Sequence, residues 1–224
     1  MERLLLLLLL LLPAFPAGAG EPYFCTREGR ILYYERYDAG STKLRRTTTF
    51  AITSVRREAS GQRVDYDFTL RKANGAELYG GTAPMSVRIQ TDGTVQMDLG
   101  GSLRAVLQNL FPRQEITSTG SAALLPAAMK PGDTLPDAHC VVDVAGVKYH
   151  IDVTERQVLR TERITVPAGT FDAVVVREHK VERGPGHNRN TWSDSWYVAG
   201  IGYVRHDTYD RNLRPDTSEV LKKY

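Results

Sequence analysis

The sequence predicts a mainly β protein, in which antiparallel meander sheets form a β-roll or half-barrel-like body with one short helix between two β-rich halves. Three observations support this fold class. Apolar and polar residues alternate with period two in many segments, as they do in strands that bury one face. Asn74-Gly75 and Asp92-Gly93 separate such segments, and both pairs tolerate the positive φ angles of tight hairpin turns. One stretch between the two halves has helical spacing instead.

The first residues are typical of a signal peptide. Arg3 gives a positive start, residues 4–12 are all leucine, and the small residues Ala17-Gly18-Ala19 suit a cleavage site. We therefore expect a signal peptide over residues 1–20 and an exported mature chain that is periplasmic or secreted. The leucine run is shorter than the roughly 20 residues that a transmembrane helix needs, so no transmembrane segment is expected after signal cleavage.

Residues 21–111 are expected to form an N-terminal antiparallel β subdomain that includes the helix. Val64, Tyr66 and Phe68 show the alternation most clearly. The predicted strands cover residues 31–37, 44–55, 64–71, 78–79, 87–89 and 95–99. In the helix, Leu103 and Leu107 fall on one face, Ser102 suits the N-cap and Pro112 ends the segment, so we expect it to cover the open face of the first sheet.

Residues 112–130 are rich in Ser, Thr, Ala and Pro and are expected to be a linker. Residues 131–224 then form a C-terminal antiparallel β subdomain. Its predicted strands cover residues 139–144, 147–154, 158–166, 172–181, 190–197, 202–209 and 217–221.

Charge and cysteine content restrict the classes of partner. The 29 Lys and Arg residues alternate with 26 Asp and Glu residues, and the net charge of +3 is too dispersed for binding to nucleic acid. Cys25 and Cys140 permit one disulfide in an oxidising compartment, although two buried thiols fit the sequence equally well. Pro22-Tyr23-Phe24 does not supply the small residues that a lipoprotein signal places before its cysteine. We expect no metal site and no cofactor, since His139 and Cys140 lack a second ligand pair.

Several polar pairs could carry chemistry, but none forms a known catalytic motif. They are His150 with Asp152, Glu178 with His179, Ser193 with Asp194, and His206 with Asp207. The sequence has no Gly-x-Ser-x-Gly elbow, zinc-protease helix or phosphate-binding loop, so no catalytic residue is predicted. A second cluster, of late aromatic residues, could stack on a sugar or peptide if exposed, or pack in the core; it comprises Trp192, Trp196, Tyr197, Tyr203 and Tyr209.

The segment Val166-Pro167-Ala168-Gly169-Thr170-Phe171, together with Trp196-Tyr197 and Gly200-Ile201-Gly202-Tyr203-Val204, resembles the TapB-like group of exported bacterial proteins. This resemblance implies an envelope or secreted β-protein without an assigned activity, and it supplies no catalytic residues. Independently of the resemblance, residues 166–171 predict a sharp corner. Pro167 cannot donate to a sheet ladder, and Gly169 permits a positive φ.

Three functions are consistent with these observations. The favoured one is a non-enzymatic envelope protein that binds or scaffolds another protein or an envelope polymer, and a contiguous exposed apolar or aromatic patch would support it. The second is a carrier of a lipid or other apolar ligand, which requires a lined cavity of some 300 Å³ or more. The third is a hydrolase, which requires that His150, His179 or His206 meets a carboxylate or hydroxyl in a cleft.

Overall fold

The alternating segments form thirteen strands and the helical segment forms α1 in the computed structural model, which describes residues 20–224. The predicted mainly β fold class is therefore confirmed. Except for Gly20, the expected signal peptide lies outside the described residues. The strands are β1 (Ile31–Asp38), β2 (Leu44–Glu58), β3 (Gly61–Lys72), β4 (Glu77–Gln90), β5 (Val95–Met97), β6 (Ile116–Gly120), β7 (Ala123–Leu125), β8 (Ala138–Val144), β9 (Val147–Val166), β10 (Gly169–Gly184), β11 (His187–Val198), β12 (Gly202–Asp210) and β13 (Pro215–Lys223), with α1 (Gly101–Leu110) between β5 and β6.

All these strands belong to one antiparallel sheet. Its strand order is β6-β8-β9-β10-β11-β12-β13-β1-β2-β3-β4-β5-β7. Most neighbours follow one another in the chain, because tight turns return each strand beside the previous one. The exception at the centre is β1, which pairs with β2 on one side and with β13 on the other. The first and second halves of the chain therefore share one continuous hydrogen-bonded ladder.

Residues 112–130 contain the strands β6 and β7, where the sequence predicts a linker. These two strands stand at opposite ends of the strand order, yet Ser121 and Ala122 alone separate them in the chain. Three residue steps span at most about 11 Å, so the two ends of the sheet lie close together. The sheet must therefore curl around a concave face, which gives the β-roll shape.

The strand β9 carries much of this curvature. The sequence predicts two strands here, 147–154 and 158–166, but they form one strand with two bulges. Glu155 and Arg156 together oppose Glu178 of β10, and Leu159 has no partner in β10. A bulge adds a residue to one strand and increases its bend and twist. The polar residues between the two apolar segments therefore bend the strand and do not end it.

The helix α1 connects the two ends of the sheet and does not cover the first half alone. Leu103 and Leu107 pack against a small buried cluster formed by β6, β8 and β9, while the side-chain amide of Asn109 donates to the carbonyl oxygen of Thr82 in β4 at 3.1 Å. The helix N-cap is Gly100, not Ser102. Within residues 20–224, no helix combines the length and apolar character that crossing a membrane would require.

Buried apolar side chains form a large cluster and a small one. The large cluster extends from Leu32 of β1 to Leu221 of β13, and the small one lies beneath α1. Cys25 belongs to the large cluster and Cys140 to the small one, and both are free thiols. The disulfide that the even cysteine count permits is therefore not formed, because each thiol is packed within a different cluster.

Candidate functional site

The motif at residues 166–171 forms the hairpin between β9 and β10. Val166 pairs with Gly169, so Pro167 and Ala168 make the turn. Gly169 has a φ of 146°, a backbone angle that residues other than glycine rarely adopt. The ring of Phe171 is half-buried and lies 5.9 Å from that of Tyr224, between centroids. Backbone geometry and packing account for these residues.

His150 and Asp152 of β9 do not form a pair. Asp152 Oδ1 lies 2.9 Å from Nδ1 of His139, and its Oδ2 accepts a hydrogen bond from Arg183 at 2.8 Å. The bond to His139 contributes most to lowering the pKa of Asp152. His150 is exposed. These two side chains therefore lack the contact that a general-base pair would need.

The next candidates, His179 and Asp194, are held by other side chains. His179 stacks on Trp192 with 4.6 Å between ring centroids, and its Nε2 lies 2.8 Å from Oδ1 of Asn190. Asp194 is buried and accepts two hydrogen bonds from Arg177, at 2.7 and 2.8 Å. The polar atoms of both side chains therefore have partners within the protein.

Among the three candidate histidines, His206 is the one that contacts a hydroxyl inside the curled sheet. Its Nδ1 lies 2.8 Å from Oγ of Ser195. Its neighbour Asp207 instead accepts hydrogen bonds from Arg205 and Ser218. Burial lowers the pKa of His206 to about 4, and the positive charge of Arg36 acts in the same direction, so its imidazole is neutral at pH 7.

His206 belongs to a line of polar residues that crosses six neighbouring strands. Directly opposed residues of a ladder point to the same face of the sheet, so these side chains share one face. We call this set the polar row; its successive partners, from β3 to β11, are Lys72, Arg46, Arg36, Glu219, His206 and Ser195.

Glu219 is the acidic member of the polar row and is 2 % exposed. Its carboxylate lies 2.7 Å from the Arg36 guanidinium and accepts a hydrogen bond from Oγ1 of Thr48 at 2.6 Å. Burial on its own would raise the pKa of this carboxyl group. Arg36, Arg46 and Thr48 more than compensate, and the pKa is lowered to about 2. Glu219 is therefore a buried anion at neutral pH.

Five members of the polar row, all except the exposed Lys72, line a cavity of about 350 Å³. The remainder of the wall is mainly apolar and aromatic, and includes Leu32, Phe50, Tyr66, Phe68, Val87 and Met97. Phe50 lies at the centre of this surface, with ring centroids 5.4 Å from Tyr34 and 5.5 Å from Phe68. A concave, largely apolar site with a few polar groups is the usual form of a small-ligand site.

A larger depression of about 560 Å³ lies between α1 and the strands β3 and β4. Its wall carries Arg56, Arg63, Asp65 and Arg104, and these arginines pair with nearby aspartates. It therefore offers less apolar surface to a ligand than the cavity does. Within residues 20–224, no three His, Cys, Asp or Glu side chains are grouped as a metal site requires.

The late aromatic residues do not form one exposed face. Trp196 and Tyr197 are buried, and Tyr203 lines the cavity. Trp192 instead stacks on His179, and the ring of Tyr209 lies 5.9 Å from the guanidinium carbon of Arg177. Two of these aromatic residues, Tyr197 and Tyr203, contribute to the cavity wall.

Sequence reasoning did not single out Arg36, Arg46 or Glu219. A signal for them was present, because each charge continues an apolar alternation. Arg36 follows Leu32 and Tyr34 at period two, and Arg46 precedes Thr48, Phe50 and Ile52 in the same way. Period two places such a charge on the inward face of a strand.

Two solved structures share this fold. A candidate exported protein with a YmcC-like fold, from Bacteroides fragilis, aligns with a TM-score of 0.72 and 22% sequence identity, over 91% of this chain and 98% of that one. A candidate lipoprotein from Parabacteroides distasonis aligns with a TM-score of 0.73 and 21% identity, over the same shares of the two chains. At these identities the likeness establishes the fold alone. None of the curated proteins matches this chain.

A family model provides a closer assignment. The model described as DUF3108-like matches residues 27–221, which is most of the chain. This family has no assigned function, as the sequence resemblance implies, whereas the narrower TapB-like assignment stays a prediction. From the length of this match, the chain belongs to the DUF3108-like family.

Proposed function

We propose that this chain is an exported envelope protein that binds an apolar or amphiphilic ligand, such as a lipid, inside its curled sheet. The observation that carries this proposal is the cavity of about 350 Å³ with its wall of aliphatic and aromatic side chains. Transfer of an apolar ligand from water to such a wall is favourable, at roughly 25 cal/mol per Å² of apolar surface buried. Export is supported by the signal-like residues 1–20 and by the descriptions of the two structural neighbours.

Binding of a protein or an envelope polymer on the outer surface has less support. Such a partner would need a contiguous apolar patch. The exposed large apolar side chains are instead distributed among several elements; they include Ile31, Tyr79, Leu110, Val147 and Leu213. The interior of the sheet is therefore the better candidate for a binding site.

Binding can be tested on the mature chain, residues 21–224, with the uncharged fluorophore N-phenylnaphthylamine. We expect its fluorescence to rise on binding and to fall when a lipid competes. Ser102 is exposed and lines the cavity at the start of α1, so a Ser102→Trp side chain should obstruct the cavity while leaving the core intact. This variant should lose affinity by about tenfold or more, since the apolar surface that the ligand can bury becomes smaller.

Gln108→Trp is the matched control, because Gln108 is also exposed on α1 but does not line the cavity. It should bind like the wild-type chain. The proposal fails if the wild-type chain binds no fluorophore, or if Ser102→Trp binds as tightly as the wild type. Native mass spectrometry of the purified mature chain provides a second readout, since a co-purified lipid would support the proposal directly.

A second candidate function, hydrolysis, is favoured by the contact of 2.8 Å between Ser195 and His206 inside the cavity. Two features weaken it. Glu219, the nearby acid, is bound to Arg36, and the lowered pKa of His206 makes its imidazole a weak general base. A fluorophosphonate probe should therefore leave Ser195 unlabelled. Labelling that is lost in Ser195→Ala would instead support a hydrolase.

A further inference from the structure

Three positive charges lie side by side along the polar row. Arg36 is directly opposite Arg46, and Arg46 is directly opposite Lys72, on the neighbouring strands β1, β2 and β3. Like charges that face each other across strands are destabilising. The row contains a single carboxylate, Glu219, and the imidazole of His206 is neutral. Three cations and one anion leave an excess of positive charge at this level of the sheet.

Arg46 is the unpaired cation of the cavity wall. Six charged residues line the cavity, and five of them have an ion-pair partner within 4 Å: Arg36, Asp98, Glu178, Lys180 and Glu219. Arg46 has no carboxylate within this distance among residues 20–224, and its buried Nε has no hydrogen-bond partner there. Burial and the neighbouring charge of Arg36 lower the pKa of Arg46, so the environment disfavours its charge.

Glu219 does not supply the missing partner for Arg46. Its carboxylate already binds Arg36 and Thr48, and Arg46 lies beyond ion-pair distance. The Arg46 guanidinium therefore remains free to bind another anion through its planar set of N–H donors.

Arg46 also lies at one end of an apolar surface. Arg46, Thr48 and Phe50 alternate along β2 with period two and all line the cavity. Phe50 pairs with Phe68 of β3, which continues the aromatic wall. A cationic group beside such a wall matches a molecule with one anionic end and one apolar end.

We propose that the ligand of this cavity is an amphiphile with an anionic head, a carboxylate or a phosphate, whose head binds Arg46 and whose tail lies against Phe50 and Phe68. This inference rests on the proposed function and names its ligand class. A bound anion completes the hydrogen bonding of Arg46 and relieves its repulsion from Arg36 and Lys72. Within a cavity wall such a charge-assisted contact is stronger than in water.

The test compares amphiphiles that share one tail but differ in the head. Decanoate, decyl phosphate, decanol and decyltrimethylammonium each compete with N-phenylnaphthylamine for the full mature chain. Both anions should bind about tenfold or more tightly than decanol, and the cation more weakly than decanol. The relative affinities of decanoate and decyl phosphate identify the source, a fatty acid or a phospholipid head.

Arg46→Gln should abolish the preference for anions and leave the affinity for decanol unchanged. Arg46→Lys should retain part of the preference for anions. Arg45→Gln is the matched control, since it removes the same charge from the adjacent residue, which lies outside the cavity wall and pairs with Asp38. This control should bind all four molecules as the wild type does. Arg46→Gln should melt close to the wild-type temperature, because it removes the repulsion from Arg36 together with the attraction to Glu219.

Equal affinity for all heads in the wild type would overturn the assignment of an anionic head and leave the binding of apolar ligands intact. The same conclusion follows if Arg46→Gln retains the anion preference, or if it loses decanol together with the anions. If none of the four molecules binds the wild-type chain, the proposed function fails as well.

Discussion

Glu219 and His206 are neighbours in the polar row. At neutral pH the carboxylate of Glu219 is charged and the imidazole of His206 is neutral. The carboxyl group of Glu219 has its pKa lowered to about 2, despite burial, by the charges of Arg36 and Arg46 and the bond from Thr48. The imidazole of His206 has its pKa lowered to about 4, chiefly by burial. A group whose folded-state pKa lies below its unfolded value stabilises the fold above the unfolded pKa and loses that contribution as pH falls.

These shifts predict acid sensitivity in two windows. For His206, the unfolded chain binds a proton near pH 6.5 and the folded chain near pH 4, so stability is lost as pH falls between these values. For Glu219 the corresponding window lies between about 4.5 and 2. The two windows overlap only between about pH 4 and 4.5, so the loss of stability above pH 4.5 comes from His206 and not from Glu219.

His206→Asn removes the titrating ring while retaining a polar group near Ser195. Between pH 7 and pH 4, the wild-type free energy of unfolding should fall by about 2–3 kcal/mol more than that of the variant. Urea unfolding across this pH range measures the difference. The exposed His150 gives the matched control, His150→Asn, which should follow the wild-type pH profile. Parallel profiles for wild type and His206→Asn would show that burial of His206 does not couple its protonation to folding.

At this scale the sequence predicts the direction of a side chain better than its partner. The alternation of Leu32, Tyr34 and Arg36 indicates that Arg36 points inward. It does not indicate that Glu219, far along the chain, stands opposite, because that register depends on the pairing of β1 with β13. Sequence reasoning singled out His206 but paired it with the adjacent Asp207, whereas the structure pairs it with Ser195 of the neighbouring strand.

At the scale of the element, tight turns position the strands. The hairpin between β9 and β10 turns within Pro167 and Ala168, and Gly169 adopts its φ of 146° immediately after them. A Cβ atom at position 169 would lie 3.3 Å from the Phe171 ring. Both the backbone conformation and this close approach favour glycine.

Gly169→Ala is therefore expected to destabilise the protein by about 1–3 kcal/mol, since a side chain is strained at that φ. Chemical denaturation of the two proteins measures this loss. The neighbouring Thr170→Ser is the control, because Thr170 is exposed and serine retains the hydroxyl that contacts Oγ1 of Thr165, and it should change stability by less than about 0.5 kcal/mol. If the two variants have equal stability, the φ angle of Gly169 is not a constraint on this hairpin.

Strands that are bounded by recognisable turn residues could be predicted from the sequence. Strands that form only because a distant segment pairs with them could not. The hairpin at Asp92-Gly93 follows from its turn residues, and its arms pair Ile89 with Val95 as alternation requires. The strands β6 and β7 have three to five residues each and gain their pairing from β8 and β5, so local composition gives them no strand signal. The sequence likewise predicts a break between strands at the first bulge of β9, since the polar residues at 155–157 interrupt the alternation.

At the scale of the whole molecule, the two halves of the chain stabilise one another through β1. This strand takes its hydrogen bonds from β2 in the first half and from β13 in the second. Side chains also connect the two halves, because Tyr34 donates a hydrogen bond to the carbonyl oxygen of Tyr203 at 3.0 Å and Arg36 forms an ion pair with Glu219. A chain ending at residue 111 would leave one edge of β1 without its partner and Arg36 without its carboxylate.

We therefore predict that a chain of residues 21–224 unfolds in one cooperative transition, although its sequence suggests two β-rich halves. Calorimetric and van 't Hoff enthalpies should agree, and near- and far-ultraviolet circular dichroism should change at the same temperature. The isolated segment 21–111 should lack a cooperative transition, because an exposed strand edge and an unpaired inward-facing arginine both cost stability. The fragment 131–224 tests the other half, since it loses the ladder between β13 and β1. Two separate transitions, or a folded segment 21–111, would show that the shared ladder does not couple the halves and that residues 112–130 divide two independent units.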